Sequence, residues 1–306
     1  MKGILEDRRV KTMKIHFFII VVSYNSGDKL RTTLRSIYSQ DYYDYDVIIE
    51  DSLSDDGSIE GIGEDKSEDM IRGMEHTHIY VEKDEGIYDG MNRALSRTDA
   101  LRTGDRKGIG DYVLFLNCGD RLHDRQVLGA IADAASDRLS DASYDKASRP
   151  HIFYGDQYNL MMKSHVSSCP RLSDFALFRN VPCHQVCFYD ISLFDDRGYD
   201  TGYRVRADYE HFLHCVYKKD AVTEYVDVTV SDYEGGGFSE TADNLRISSM
   251  EHKKITAMYM GRKAEAYSLL LKLSLSGLRT YLANDPRFSS GYNRIKSLIY
   301  KKGDRA

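Results

Sequence analysis

Tryptophan is absent, proline occurs four times in 306 residues, and the longest wholly apolar run is Phe17–Val22. So few prolines exclude a collagen-like or proline-rich array. A run that short falls far below the ~20 apolar residues of a membrane-spanning helix. The opening stretch MKGILEDRRVKTMK mixes both charge signs and has neither the apolar core nor the cleavage site of a secretory signal. Residues 1–13 therefore read as a loose tail. Cysteine is scarce and odd in number: Cys118, Cys169, Cys183, Cys187 and Cys215, scattered through a chain too large to need staples. That pattern points to free thiols in a reducing, cytoplasmic compartment. Cys183 and Cys187 bracket His184 with a faint look of a metal site, but no second ligand pair at finger spacing accompanies them.

What the chain does have is core material: 42% hydrophobic residues, with 23 Tyr and 11 Phe. Wholesale disorder is excluded, and the length fits one large domain with an appendage. The net charge of −6 hides an asymmetry. From Arg246 onward there are 13 Lys/Arg and 4 Asp/Glu, whereas the first 245 residues carry 29 basic and 44 acidic groups. A body so acidic repels phosphate backbones and argues against nucleic acid as a partner.

Ile15–Val22 reads as a strand buried on both faces. After the polar turn Ser23–Asp28, the spacing of Leu30, Leu34 and Ile37 predicts an amphipathic helix ending near Gln40. Val47–Ile49, His78–Val81 and Tyr112–Leu116 predict strands. Ile87–Leu95 and Val127–Ala135 predict helices, with Ile59–Met74 a weakly patterned one between them. Strands alternating with helices over the first ~135 residues imply a Rossmann-like, mostly parallel α/β sheet flanked by helices. Ser136–Arg149 reads as a polar linker. Beyond it come short strands at Ile152–Tyr154, Tyr158–Met162 and Gln185–Tyr189, a helix around Ala207–Tyr217 and a strand at Val222–Val230. The run Gly235–Gly237 breaks the chain, and helical spacing resumes from Asn244.

Ligands of such a sheet collect at the carboxyl ends of its strands. This sequence puts acidic turns there: Asp51 after the second strand, Asp84 after the third, Asn117 and Asp120 after the fourth. Carboxylates without a glycine-rich phosphate cradle point to phosphate held through a hard cation, Mg²⁺ or Mn²⁺. Taken singly, each is also an ordinary turn residue. Asp51–Gly57 is not a calcium loop, because Gly63 stands where a bidentate Glu is required. Ser23-Tyr24-Asn25-Ser26-Gly27 is not G-x-G-x-x-G, which rejects a dinucleotide fold. Ser23–Asp28 also lacks the basic, glycine-rich loop of a nucleotidyltransferase.

The blocks FFIIVVSYNSGDKLRTTLRSIYSQ, VIIEDSLSDDGS, EKDEGIYDGMNRAL and GDYVLFLNCGD, followed by PCHQVCFYD, RVRADYEHF and SDYEGGGFSE, resemble the successive motifs of family 2 glycosyltransferases with the GT-A fold. The bacterial members that build surface polysaccharides are the most similar. The resemblance spans residues 14–245, divided into a nucleotide-sugar half (14–135) and an acceptor half (150–245), with 246–306 a basic helical extension.

The resemblance implies a nucleotide-diphosphate sugar donor, a saccharide acceptor that is lipid-linked, and an inverting mechanism. It puts Asp51 on the nucleotide base, with Ser23, Tyr24 and Asn25 beside base and ribose. Asp84, Asp89 and Asn92 would face the donor pocket, the last two sharing a helix face. The family's Asp-x-Asp metal triplet is altered to Asn117-Cys118-Gly119, with Asp120 next. Asn117 is then a donor-side residue, and Asp120 is left as the carboxylate for a divalent metal. Asp208, opening a helix whose dipole favours its charge, maps to the general base, with Asp156 and Glu210 as rivals. His184 and Gln185 match a pair lining the acceptor side, and His211 could pair with Asp208. Gly235–Gly237 with Ser239 resembles a loop closing over the diphosphate; locally it is equally a hairpin turn. Basic helices among leucines and tyrosines after Arg246 fit an anionic membrane surface or a solvated appendage. The expected location is cytoplasmic, peripheral on the inner membrane face. The alternative function is a sugar-nucleotide-binding or scaffolding subunit that has lost catalysis.

Overall fold

The computed structural model describes residues 14–102, 110–140, 149–235 and 241–273, with Gly291 and Arg294. The N-terminal tail, the glycine run past Gly235 with Ser239, and most of the stretch after 273 lie outside the described residues.

The apolar run forms β1 (His16–Ser23), hydrogen-bonded on both edges to parallel neighbours, β2 (Tyr45–Asp51) and β4 (Asp111–Phe115). With helices over its faces, almost every β1 side chain is buried, which is why the sequence there is nearly uninterrupted Phe, Ile and Val. β3 (Thr77–Val81) adds a fourth parallel strand beyond β2. Between the strands run α1 (Asp28–Tyr38), α2 (Glu68–Met74) and α3 (Ile87–Leu101). α1 buries Leu30, Leu34 and Ile37, as their spacing predicts.

The rest of the chain continues the same sheet. It contains β5 (Arg121–Leu122), α4 (Val127–Ser140), β6 (His151–Asn159), β7 (Ser164–Val166), α5 (Asp174–Arg179), β8 (Cys187–Asp190), α6 (Ala207–Lys218) and β9 (Val222–Tyr233). Two C-terminal helices follow, α7 (Ala242–Met260) and α8 (Arg262–Leu273). The strand order is β3-β2-β1-β4-β8-β6-β9-β5, with β7 on β6. β8 runs antiparallel to β4 and β6, so parallel pairing gives way to mixed pairing where the halves meet.

Several expectations shift. Residues 136–140, expected as the start of a linker, belong to α4, where Ser136 and Leu139 are buried, and 141–148 lie outside the described residues. Tyr158 is the end of β6 rather than a new strand, and Gln185 lies in a 3₁₀ turn ahead of β8. The boundary drawn at residue 245 falls inside α7. The resemblance ends and the charge changes sign there, but neither marks burial: Ile255 and Met260 enter the core from α7. Among the described residues no helix is long and apolar enough to cross a membrane.

Candidate active site

The first two strands end in register, Ser23 opposite Asp51, and the turns after them are laced together. Asn25, at a positive φ of 44°, donates its N–H to Ser54 Oγ at 2.8 Å and accepts from the Asp55 N–H at 3.0 Å. Gly27 N–H donates to Asp56 Oδ2 at 2.8 Å. Asp51 is fully buried, its oxygens accepting from the Ser54 N–H (2.7 Å) and hydroxyl (2.6 Å). Ser23 Oγ lies 3.0 Å from Ser26 Oγ, and Tyr24 stands exposed beside them.

The α3 group divides. Asp84 Oδ1 accepts from the Gly86 N–H at 3.0 Å, and Asp89 Oδ2 from the Glu85 N–H at 3.0 Å and Arg93 Nε at 2.9 Å. Both carboxylates thereby hold the turn that leads into α3. Asn92 is drawn elsewhere: its amide donates to the Tyr199 carbonyl (2.8 Å) and accepts from the Tyr199 N–H (2.7 Å). It thus fastens the acceptor half to α3.

After β4, Thr33 of α1 holds the turn, accepting from the Gly119 N–H at 2.9 Å and donating to the Asp120 carbonyl at 2.8 Å. Gly119 sits at φ +101°, and a Cβ there would run into the Glu234 carboxylate, so both space and backbone demand glycine. Asp120 is 4% exposed. Its Oδ1 accepts from the Glu234 N–H and its Oδ2 from Gln185 Nε2, each at 3.0 Å. Burial pushes its carboxyl up, against the pull of those two donors. Glu234 also bridges to Lys29 Nζ at 2.7 Å.

Asp208, second residue of α6, keeps 24% of its side chain exposed. Its Oδ1 accepts from the Tyr209 N–H at 2.8 Å and lies 3.1 Å from the Tyr88 hydroxyl, which also lies 2.8 Å from the Val205 carbonyl. Its Oδ2 lies 3.2 Å from His184 Nδ1. Burial alone would raise its pKa. The hydrogen bond of His184, the Tyr209 N–H and nearby Arg206 outweigh that and hold the carboxyl below its ordinary range. On its far side His184 Nε2 lies 3.1 Å from Asn117 Nδ2. The structure thus brings Asn117, Asp120, His184, Gln185 and Asp208 into one cluster, with the Asp51 turns on the neighbouring strands.

The rival residues are engaged elsewhere. Glu210 takes both oxygens to Arg197 (2.9 and 2.8 Å) and one to Tyr259. His211 is buried against Phe194 with ring nitrogens that find no hydrogen-bond partner; burial drives its pKa down to about 3. The partner of Asp208 is His184 instead. Asp156 is buried and accepts from the Ser168 N–H. All five cysteines are free.

Asp120 and Glu234, side by side around Gly119, offer the hard oxygens a divalent cation takes. Among the described residues no group of three or more His, Cys, Asp or Glu could hold an ion unaided. Sequence reasoning missed Glu234, Tyr88 and Glu251, the last an α7 residue whose carboxylate accepts the N–H groups of 204–206 just ahead of Asp208. Glu234 sits beside the glycine run that drew attention, and Tyr88 beside Asp89; only the folded chain connects them to the site.

The model of "Glycosyl transferase family 2" matches residues 18–160. A PGL/p-HBAD biosynthesis glycosyltransferase of Mycobacterium bovis (strain BCG / Pasteur 1173P2) is 30% identical over 231 residues, 74% of this chain and 79% of that protein. The amylovoran biosynthesis glycosyltransferase AmsB of Erwinia amylovora is 31% identical over 114 residues, 36% of this chain and 32% of its own. The solved structure of S. aureus TarS 1-349 in complex with UDP-GlcNAc superposes with a TM-score of 0.60 at 13% identity, covering 83% of this chain and 70% of that one, a likeness of fold. By extent of match, by sheet topology and by the turns at its strand ends, this chain belongs to family 2 of the glycosyltransferases and carries their GT-A fold.

Proposed function

We propose that this glycosyltransferase moves a sugar from a nucleotide-diphosphate donor to a saccharide acceptor in a single inverting displacement, with Asp208 as general base. The observation that carries the reading is Asp208 itself: a carboxylate held ionised, partly open, and in one hydrogen-bonded cluster with the turn after β4. Asp208 takes the proton of the acceptor hydroxyl. That oxygen bonds to the anomeric carbon as the carbon–oxygen bond to the diphosphate breaks on the opposite face, and the nucleoside diphosphate departs with the electron pair. Asp120, with Glu234 beside it, would hold a divalent cation, Mn²⁺ or Mg²⁺, which when bound neutralises phosphate charge as a Lewis acid. Asp51, Ser23, Tyr24 and Asn25 form the wall for base and ribose.

The names of the relatives, for PGL/p-HBAD and amylovoran biosynthesis, support a biosynthetic role, and the acceptor this reading assigns is the lipid-linked saccharide of surface glycan assembly. The enzyme then works peripherally at a cytoplasmic membrane face. Asp208→Asn tests the core of this reading. Transfer should fall by roughly 10²-fold or more, with thermal stabilisation by the preferred nucleotide (UDP, GDP, dTDP or CDP, each with and without Mn²⁺) unchanged. Turnover near the parent level would remove Asp208 from the role.

A further inference from the structure

We infer that His184 is the positioning residue of the base, and that Asn117 is asparagine in order to set the tautomer of that ring; the inference rests on Asp208 being the base. An ionised carboxylate only accepts hydrogen bonds. With Asp208 Oδ2 at 3.2 Å, His184 Nδ1 must therefore carry a hydrogen. A neutral imidazole then presents Nε2 as an acceptor, and the atom 3.1 Å from it is Asn117 Nδ2, which only donates. The two contacts, made by residues from opposite halves of the chain, require the same tautomer. Turning the Asn117 amide over would set oxygen against the Nε2 lone pair, so the orientation is fixed by the ring. The remaining atom, Asn117 Oδ1, is buried and finds no hydrogen-bond partner.

An aspartate at 117 could not donate to Nε2. The ring would need a second proton to satisfy carboxylates on both sides, and a base shared with an imidazolium is a weaker base. The departure from Asp-x-Asp at its first residue therefore has a chemical reason that does not involve the metal: Asn117 is bound to the base through His184. The ring itself is nearly enclosed, with 11% of its side chain exposed, so it acts through Asp208 rather than on substrate.

Two substitutions separate the ring's halves. In His184→Asn the amide reaches about as far as Nδ1 and keeps the donor to Asp208; in His184→Gln it reaches about as far as Nε2 and keeps only the contact to Asn117. His184→Asn should retain kcat within about fivefold, while His184→Gln loses roughly 10–100-fold in kcat, the usual scale for a supporting residue, at unchanged KM and nucleotide affinity. Asn117→Asp, nearly isosteric, should lose kcat on the same scale as His184→Gln; a gain in kcat or Mn²⁺ affinity would make residue 117 a metal ligand and overturn the inference. Asn and Gln at 184 falling alike, or neither falling, while Asp208→Asn is inactive, refutes the positioning role and leaves the base in place. An active Asp208→Asn refutes both.

Discussion

At the residue scale, the oddest side chain is Glu50, next to Asp51. It is fully buried on β2, neither carboxylate oxygen has a hydrogen-bond partner, and the nearest cation, Arg97 Nε, is 3.9 Å away. Burial, with the charge of Glu82 adding to it and Arg97 opposing, raises its pKa to about 7. A carboxyl whose folded pKa lies above its ordinary 4.5 lends stability that is complete below 4.5 and lost as pH rises through about 7. Glu50→Gln removes that loss. The variant should be more stable than the parent at pH 8 by roughly 1–3 kcal/mol, with the gap shrinking toward pH 5, read from urea midpoints at both. An equal gap at both pH values would show that Glu50 is not titrating. The residues at the ends of the parallel strands were legible in the sequence because each stands at a fixed place after a readable strand. The bonds of Asp208 to Tyr88 and His184, and of Asp120 to Glu234, were not, because each joins residues far apart in the chain.

At the scale of elements, most of the first four strands and their helices followed from periodicity: β1 has neighbours on both edges and is buried on both faces, so its apolar run is nearly unbroken, whereas the helix expected over Ile59–Met74 shrinks to a 3₁₀ turn at Glu60–Glu64 and α2. The rest of the chain resisted, for different reasons in different places. β5 has two residues and α5 six, too few to show a period. α7 was misjudged because its charge looked foreign to the domain. Yet Glu251 of α7 accepts the N–H groups of Arg204 (2.7 Å), Val205 (3.0 Å) and Arg206 (2.9 Å) and so holds the strap leading into α6. Glu251→Ala leaves three donors without that carboxylate. It should cost roughly 2 kcal/mol and lower kcat more than it raises KM, because Asp208 lies two residues beyond the strap. An unaltered kcat would separate α7 from the site.

At the scale of the molecule, the outward side of α7 and α8 exposes Leu245, Met250, Met258, Leu269 and Leu270 among Arg246, Lys253, Lys254 and Arg262. Such a surface suits anionic lipid, at about 1 kcal/mol per cation. Removing residues 246–306 would also remove Glu251, so charge reversal is the cleaner probe. Arg246→Glu, Lys253→Glu and Arg262→Glu together should release the protein from phosphatidylserine vesicles in sedimentation while leaving transfer to a soluble acceptor intact. Unchanged sedimentation would assign the face to solvent.

The acceptor-half loop that packs on α3 and α7 is gripped by its backbone as well as by its buried side chains. Asn92 holds the N–H and carbonyl of residue 199, Glu251 the N–H groups of 204 to 206, and Tyr88 lies on the carbonyl of 205. At Gly198 a Cβ would meet the Asn92 amide. A joint that grips main chain is indifferent to a side chain only where that side chain faces solvent. Tyr199, Tyr203 and Val205 are buried and Arg206 bonds Ser248 and Asn180, so drift under selection for a new acceptor is confined to the exposed turn at 200–202, and the placement of the base beyond it is inherited with the rest of the loop.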